Sequence, residues 1–410
     1  MSINHTPSEE LQAWLRLTFE PGVGPVTARQ LLAVFGLPDQ VFAASVGQLM
    51  KYVPQKLALQ LAAAPAPDIH DLIQKTLDWL DGPGHAIITL ADPLYPPALL
   101  DTHDPPILLY LDGNPKLLEL PMIAMVGARN ATIGGNDNAR AFARYLAGQG
   151  WCVVSGLAHG IDAAAHEGAL DAPVGTGGTI AVMGTGINRL YPAANKNLAL
   201  RIREQGLLVS ELPLDTPAVV HQFPRRNRIV AGLSKGVLVV EAAKQSGSLI
   251  TARLAGETGR EIFAIPGSIH SPLSRGCHAL IRQGAKLVET AQDILEELGS
   301  LPVGVMSRGE QDSLQTGKTS GRRRTVKTSG QERAKAPANA EISMVNTRPG
   351  QEGLTEAETG LLEKMGYEPF SIDELVLHLN SDIASVSSLL LGLELKEIVM
   401  RLNDGRYQRM

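Results

Sequence analysis

A run of cationic side chains begins one predicted helix of an otherwise acidic chain. Arg225, Arg226 and Arg228 stand with Asn227 in "HQFPRRNRIVAGL", ahead of the apolar run "VLVVEA". The N-terminus of a helix is already the positive end of its dipole, so cations there are unfavourable without a nearby anion. The net charge of the 410 residues is −5, so an anion site must be a local patch. The alternative interpretation is a solvated basic turn.

A second candidate anion site follows the apolar run "MIAMVG". Gly127 lets the backbone approach a ligand, and Arg129 follows it in "VGARNAT". The next helix, predicted from about Asn136, directs its N-terminus at the same point. A helix N-terminus beside an arginine binds anions such as phosphate. The alternative is an arginine that forms a salt bridge across a domain interface.

A third candidate lies in "KQSGSLITA", where Gly247, Ser248 and Thr251 begin a predicted helix. Their N–H groups and hydroxyls would form a phosphate cradle. The alternative is that Ser248 is a simple N-cap, which needs no ligand.

Other loops add polar and aromatic groups. Ser155 and Gly156 end the run "CVVSG" and offer a hydroxyl and an open backbone, and Asn195 and Lys196 follow another run in "YPAANKNL". Phe223 offers either a face on which a base could stack, worth roughly 1–3 kcal/mol, or a plug for the core beneath the loop.

A metal site is not expected from the sequence. His159, Asp162 and His166 lie in "SGLAHGIDAAAHEGAL", but they lack a third firm ligand and a recognised zinc spacing. Asp162 is expected to cap the start of a helix or to be a partner of His166. The two cysteines, Cys152 and Cys277, form no CxxC pair, which is consistent with a reducing cytoplasm.

Nucleotide-cofactor motifs fail as well. "GTGINR" has Arg189 where the third glycine of a dinucleotide fingerprint belongs, and "TGKTS" has Asp312 where a P-loop needs its first glycine. No cofactor is therefore expected.

The N-terminus lacks the pattern of a signal peptide, and no apolar run reaches 18 residues, so no membrane association is expected.

Six short apolar runs alternate with helical stretches, which predicts parallel strands buried on both faces. Six such units indicate an α/β fold, an extended Rossmann-like doubly wound parallel sheet. Ligands of this architecture bind beyond the carboxyl ends of the strands, where the candidate loops converge. The predicted strands are 122–127, 152–156, 179–184, 207–212, 237–242 and 261–267.

The flanking regions differ in character from the predicted sheet. Residues 1–84 predict an all-α domain, and its "EPGVGPVTA" segment is either a helix-hairpin-helix (SAM-like) DNA-binding element or a plain helix connection. Residues 85–300 form the sheet domain. Residues 301–352 lack aromatics and hydrophobic periodicity, and 307–350 carry nine Lys/Arg against four Asp/Glu, which predicts a disordered linker.

Residues 353–410 predict a winged helix. "TEAE" and "SIDE" are capping boxes that each begin a helix, a third helix follows, and a hairpin turns at Asp404-Gly405. The third helix carries only Lys396, which is poor electrostatics for a helix that reads a DNA groove. A protein-contact role and a DNA-contact role both remain open.

The motifs together resemble those of the DNA-processing protein A family (DprA, also called Smf). The resemblance spans about residues 85–298 in motif order and rests on "VGARNAT", "SGLAHGIDAAAHEGAL", "YPAANKNL", "QFPRRNRIVAGLS", "VVEAAKQSGSLITA" and "IPGS". It implies a protein that binds single-stranded DNA, forms a homodimer through the Rossmann-like domain and loads the RecA recombinase during natural transformation, without catalysis. Arg129 stands at the family's basic position in the first loop, whereas Ala128 replaces the common serine.

A second resemblance belongs to another functional class. Phosphoribohydrolases of the lysine-decarboxylase-like group share the fold and use a glutamate in a PGGxGTxxE motif. Here the region is "EAAKQSGS", in which Glu241 ends its strand but the Pro-Gly-Gly turn is missing. Binding is therefore favoured over hydrolysis.

Overall fold

The computed structural model describes residues 8–299 and 354–409, apart from residues 368, 397, 403 and 404. The predicted linker at 301–352 lies outside the described residues. The first part of the chain is helical, as expected. Its helices are α1 (Ser8–Phe19), α2 (Pro25–Phe35), α3 (Pro38–Ala43), α4 (Val46–Leu49), α5 (Gln55–Ala62) and α6 (Pro67–Leu80).

These helices pack their apolar faces on the sheet that follows. Trp14 and Leu31 of the helices share one core cluster with Tyr110 and Leu208 of the sheet. Gly22 adopts a φ of +87° in the predicted hairpin, a conformation that glycine tolerates. Arg29 donates to the His103 carbonyl at 2.7 Å, which ties this basic side chain to the sheet domain.

A nine-stranded sheet forms the centre of the molecule, in the order β1-β2-β6-β5-β4-β3-β7-β8-β9. The six predicted parallel strands are confirmed as β3 to β8. The sheet also has antiparallel β1 and β2 at one edge and a parallel β9 at the other, which were not predicted. The strands are β1 (His85–Thr89), β2 (Leu108–Gly113), β3 (Met122–Val126), β4 (Cys152–Ser155), β5 (Thr179–Val182), β6 (Leu207–Ser210), β7 (Gly236–Val239), β8 (Glu261–Ala264) and β9 (Lys286–Leu287).

The order in which successive strands are added to the sheet reverses at β3, while the strands stay parallel. Strands β4, β5 and β6 lie on one side of β3, and β7 and β8 lie on the other, so Ala124 pairs with both Val154 and Val237. Such a switch point opens a crevice at the carboxyl ends of the strands. The helices of this domain are α7 (Pro97–Leu100), α8 (Ile133–Gly148), α9 (Ile161–Leu170), α10 (Lys196–Gln205), α11 (Gln222–Leu233), α12 (Ser248–Glu257), α13 (Arg275–Arg282) and α14 (Ala291–Leu298).

The last domain is a winged helix that packs against the sheet domain. Both predicted capping boxes are confirmed, at Thr355 with Glu358 and at Ser371 with Glu374. Ile133 of α8 joins its core cluster. The predicted hairpin is present, although part of its turn lies outside the described residues. The elements are α15 (Glu356–Met365), α16 (Ile372–Leu379), α17 (Ile383–Leu395), β10 (Val399–Arg401) and β11 (Tyr407–Arg409).

Among the described residues, no single helix is both long enough and apolar enough to cross a membrane. Helices α16 and α17, which are bent by 116° at their junction, reach that length and apolarity only when they are taken together.

Helices α8 and α9 approach each other so closely that a small residue is required at their contact. A Cβ placed on Gly168 of α9 would lie 2.1 Å from the Arg140 carbonyl oxygen of α8, below any real contact distance. The glycine therefore determines how closely the two helices pack on one face of the sheet.

We expect Gly168→Ala to lower the free energy of unfolding by about 1–3 kcal/mol, because overpacking must move one helix away from the other. Thermal or urea unfolding measures the effect. Gly148→Ala at the end of α8 is the matched control, since its added Cβ meets no atom within 4 Å. That control should be neutral or about 1 kcal/mol more stable. Equal stabilities of the two variants would contradict the close contact.

Candidate nucleic-acid interface

A cleft with a volume of about 500 Å³ lies beyond the carboxyl ends of β3 and β7, at the switch point of the sheet. The loop after β3 forms one wall, the loop leading into α12 forms another, and the start of α11 forms the third. Of the residues that the sequence singled out, eight line this cleft: Gly127, Arg129, Phe223, Arg226, Asn227, Gly247, Ser248 and Thr251.

Arg129 is the exposed cation of the cleft. Its side chain makes no hydrogen bond or ion pair with any other residue of the described ranges 8–299 and 354–409. It lies close enough to the guanidinium of Arg226 to lower the pKa of that group. Two neighbouring cations, one of them unpaired, create a positive potential that an anionic ligand would relieve.

The N-terminus of α12 faces the same cleft. The helix begins at Ser248, and its N-cap residue is Gly247, so the alternative interpretation of Ser248 as a simple N-cap is not observed. The Ser248 N–H donates to the Ser246 hydroxyl at 3.3 Å, and the N–H groups of Leu249 and Ile250 donate to the carbonyls of Ser246 and Gly247 at 3.1 Å. The Ser248 hydroxyl lies 2.5 Å from the Ser246 hydroxyl. The Thr251 hydroxyl is 1% exposed and has no hydrogen-bond partner within the described part of the chain. The unbonded Thr251 hydroxyl, together with Arg129, leaves this side of the cleft able to bind an anion.

The N-terminus of α8 is not available to an external anion, because a carboxylate of the protein already lies there. The helix begins at Ile133 rather than about Asn136. The Glu241 carboxylate accepts from the Thr132 N–H at 3.0 Å and from the Thr132 hydroxyl at 2.6 Å. A carboxylate of the protein therefore occupies the position predicted for a ligand anion.

Arg226 is a buried structural arginine rather than an exposed donor. It is 6% exposed, and Nη1 donates to the carbonyl oxygens of Gly156 and Val182. Its neighbouring carboxylate is Asp162, which accepts from the N–H groups of Gly156 at 3.1 Å and Ala158 at 3.3 Å. Burial lowers the pKa of Arg226 to about 10 and raises that of Asp162, while each charge opposes the shift of the other.

Arg228 and Ser155 are also bound within the protein. Arg228 pairs with Glu211, and its Nε lies 3.6 Å from Asp104. The Ser155 hydroxyl is fully buried and donates to the Met125 carbonyl at 2.6 Å. The predictions that these two side chains face the ligand are wrong, because internal partners hold both.

The remaining predicted residues lie outside the cleft lining. Gly156 lies beneath the guanidinium of Arg226, where an added Cβ would come within 2.4 Å of its Cζ. Asn195 donates to the carbonyls of Leu157 and Ala158 at 2.9 and 3.1 Å. Arg225 and Lys196 are exposed but do not line the cleft.

Phe223 occupies an intermediate position. Its ring is half-buried against Gly184 and lies 5.6 Å from the ring of Tyr191, at 37°. The ring also borders the cleft. Both interpretations of Phe223, a stacking face and a core plug, are compatible with this placement.

The sequence did not single out several other residues that line the cleft. Asn130, Gln245 and Ser246 add polar groups, and Leu273 adds an apolar edge. Asn130 and Ser246 adjoin predicted residues, so their motifs contained the signal. Leu273 follows β8 in a loop that carried no recognisable pattern.

His166 and Asp162 have separate partners within the protein. The Thr179 hydroxyl donates to the Val153 carbonyl at 2.7 Å, so it accepts from Nδ1–H of His166 at 2.8 Å. Asp162 therefore does not pair with His166. At the start of α9 it instead accepts hydrogen bonds from the N–H groups of Gly156 and Ala158. No cluster of metal-binding side chains occurs among the described residues.

The fold and the cleft define the class of this protein. It is a doubly wound α/β protein with a cleft beside Arg129 at its switch point, flanked by a helical domain and a winged helix. The family model described as DNA recombination-mediator protein A matches residues 86–299, and the model of the DprA winged helix domain matches residues 345–405. The chain belongs to the DNA recombination-mediator protein A family.

Individual relatives agree with this assignment. Protein Smf of Escherichia coli K12 is 49% identical over 227 residues, which cover 55% of this chain and 60% of that protein. Protein Smf of Synechocystis is 32% identical over 418 residues, 98% of this chain and 99% of its own. The structure of DNA processing protein A from Streptococcus pneumoniae aligns with a TM-score of 0.56 at 34% identity, over 71% of this chain and 98% of that one.

We expect Arg226→Ala to cost about 3–5 kcal/mol of stability, because it removes the cation near the buried Asp162 and leaves the Gly156 and Val182 carbonyls without their donor. Arg225→Ala, on the same turn but exposed, should change stability by no more than about 0.5 kcal/mol. Chemical denaturation of both variants tests the assignment. Two equally stable variants would show that Arg226 is not structural.

We also expect stability to depend on His166. Burial lowers the pKa of His166 to about 3, so the unfolded chain binds a proton below its ordinary value of 6.5 while the folded protein does not. Stability should therefore fall as the pH drops from 6.5 towards 3. The free energy of unfolding should fall more steeply between pH 6.5 and 5 in the parent than in His166→Gln. Parallel curves would contradict a buried neutral histidine.

Proposed function

We propose that the protein binds single-stranded DNA in the cleft at the switch point. The observation that carries this proposal is Arg129, whose side chain has no partner among the described residues and which lines a cleft that also holds the unbonded Thr251 hydroxyl. Guanidinium and backbone N–H groups contact phosphates and read no base sequence. Asn227 and the half-buried ring of Phe223 supply the opposite wall. Binding with little sequence preference follows from this set of groups.

A single strand suits the cleft better than a duplex. The unbonded Thr251 hydroxyl is 1% exposed, so a phosphate must enter the cleft to reach it. A flexible strand can turn one phosphate inward, whereas a stiff duplex presents its phosphates on a broad convex surface. Phe223 would contact an unpaired base, whose face is accessible only in a single strand.

The proposal extends to the partners that family membership suggests. The DNA-bound protein would act as a homodimer joined through its Rossmann-like domain and would deliver the strand to the RecA recombinase without catalysis. The main alternative is hydrolysis of a nucleotide. Both oxygens of Glu241 accept hydrogen bonds from Thr132, which argues against a free catalytic carboxylate. Release of free base from nucleoside monophosphates would favour the hydrolase.

We expect Arg129→Ala to weaken binding of a single strand about tenfold or more, since one charge-assisted hydrogen bond is worth roughly 1.5–3 kcal/mol. Melting temperature should not change, because Arg129 supports no described contact. Fluorescence anisotropy with an oligothymidylate measures the affinity. Arg253→Ala, in the middle of α12, outside the cleft lining and 69% exposed in its side chain, is the matched control. Unchanged affinity of the folded Arg129→Ala protein would refute the cleft as the DNA site.

We further expect duplex DNA to compete poorly for the bound strand. The logarithm of the affinity should fall by about 0.7 for each tenfold rise in salt and each phosphate neutralised. A titration at several salt concentrations, with single-stranded and duplex competitors of one sequence, gives both results. Equal competition by the duplex would contradict the proposed preference.

A further inference from the structure

The third helix of the winged domain, α17, is apolar on two sides. Val386, Leu390 and Leu393 are fully buried in the core of the winged helix. On the other side of the helix, Leu391 and Leu395 are 57% and 79% exposed. A helix that is apolar all round normally has both sides covered. Since the described part of the chain leaves these two leucines exposed, this second side is a candidate interaction surface.

The exposed side of α17 has the spacing of a helix-pairing surface. Intervals of four and three residues alternate at the a and d positions that face a partner helix in a coiled coil. Four exposed residues of α17 follow one another at intervals of four, three and four positions, and we call them the α17 seam: Ala384, Ser388, Leu391 and Leu395. None of the four is charged. The helix therefore presents to solvent an arrangement that can pair with another helix.

The charges around the α17 seam do not suit DNA. Glu394 is the one charged residue within α17. Lys396, which ends the helix, donates to both carboxylate oxygens of Glu358 at 2.7 and 2.8 Å. A helix that enters a DNA groove needs cations for the phosphates beside it. A protein surface is therefore the occupant that the seam fits.

The α17 seam is complementary to itself when two copies of the helix run in opposite directions. Reversing one copy about the midpoint of the seam places Leu395 opposite Ala384 and Leu391 opposite Ser388. Each large side chain then faces a small one, so the two helices can interdigitate without overpacking.

The charges at the ends of α17 favour the same orientation. Asp382 is the N-cap residue and accepts from the Ser385 N–H at 2.9 Å, whereas Lys396 is the C-cap residue. Antiparallel pairing places Asp382 of one copy near Lys396 of the other and opposes the two helix dipoles. Parallel pairing would instead bring the Glu394 side chains of the two copies together, which is unfavourable. A second copy of this helix therefore fits in both shape and charge.

We infer that α17 pairs with α17 of a second copy of the chain, in antiparallel orientation, through the α17 seam. This inference goes beyond the proposed function and does not depend on it. A helix of 13 residues buries less than the roughly 800 Å² per partner of a typical stable complex, so the pairing is weak. The proposed homodimer uses the sheet domain. A second twofold contact on each chain would link such homodimers into larger assemblies.

Sedimentation velocity of the full-length protein over a range of concentrations tests the pairing. We expect assemblies that grow with concentration. Leu391→Glu should weaken this association about tenfold or more, because the pair would have to bury two carboxylates. Leu59→Glu, at a 52% exposed leucine of α5, is the matched control and should associate like the parent. Equal association of the parent and Leu391→Glu would overturn the inference.

Disulfide trapping tests the orientation. The native Cys152 and Cys277 are buried, so introduced cysteines on the surface report alone. A mixture of Ala384→Cys and Leu395→Cys proteins should cross-link, because antiparallel pairing brings these two positions together. Either protein alone should not, since equal positions then lie about 16 Å apart along the helix axis. Cross-linking of Ala384→Cys alone to the level of the mixture would overturn the antiparallel pair.

Two other occupants of the α17 seam give different results. If another part of the same chain covers the seam, Leu391→Glu should lower the melting temperature and leave the sedimentation unchanged. If the seam serves a different protein, the parent should neither grow with concentration nor yield a trapped pair. Either result would overturn the pairing and leave the proposed function, which Arg129→Ala tests, unaffected.

Discussion

The buried Arg226 guanidinium, with the Asp162 charge near it, organises the functional end of the sheet. Arg226 belongs to α11 and Asp162 to α9, and the two carbonyls that accept from Arg226 directly follow β4 and end β5. A charged pair taken out of water is stable only if its remaining donors and acceptors are satisfied, and here backbone groups satisfy them. The result is that four elements are joined at the floor of the cleft. The positions of Phe223 and Asn227 depend on that floor.

Much of the fold follows from the spacing of apolar residues. The six central strands are continuous apolar runs between helices, and both capping boxes of the winged helix have their signature residues. The strands β1 and β2 escaped prediction because five prolines lie between them, at positions 93, 96, 97, 105 and 106, and suggest a loop. Strand β9 is only two residues long, too short for any period to appear.

The site was harder to predict than the fold, since residue type does not reveal whether a side chain points inward. Arg225, Arg226 and Arg228 are adjacent in the sequence, yet one is exposed, one is buried under the cleft, and one pairs with Glu211. Their helical spacing places them on different faces, but their partners come from distant segments. The loops around Arg129 and Gly247 were recognisable from the sequence. In each, a glycine and the start of the next helix lie close together in the chain, so the signal is local.

The carboxylate of Glu241 at the start of α8 has a consequence for selectivity. Dinucleotide-binding folds place the pyrophosphate of the cofactor at the helix N-terminus that follows their first parallel strand. Here the Glu241 carboxylate, which is covalently part of the chain, holds that position. A free dinucleotide would have to displace it to place its pyrophosphate there. A polymer, which distributes one charge per nucleotide and needs no single strong pyrophosphate pocket, is unaffected by this competition.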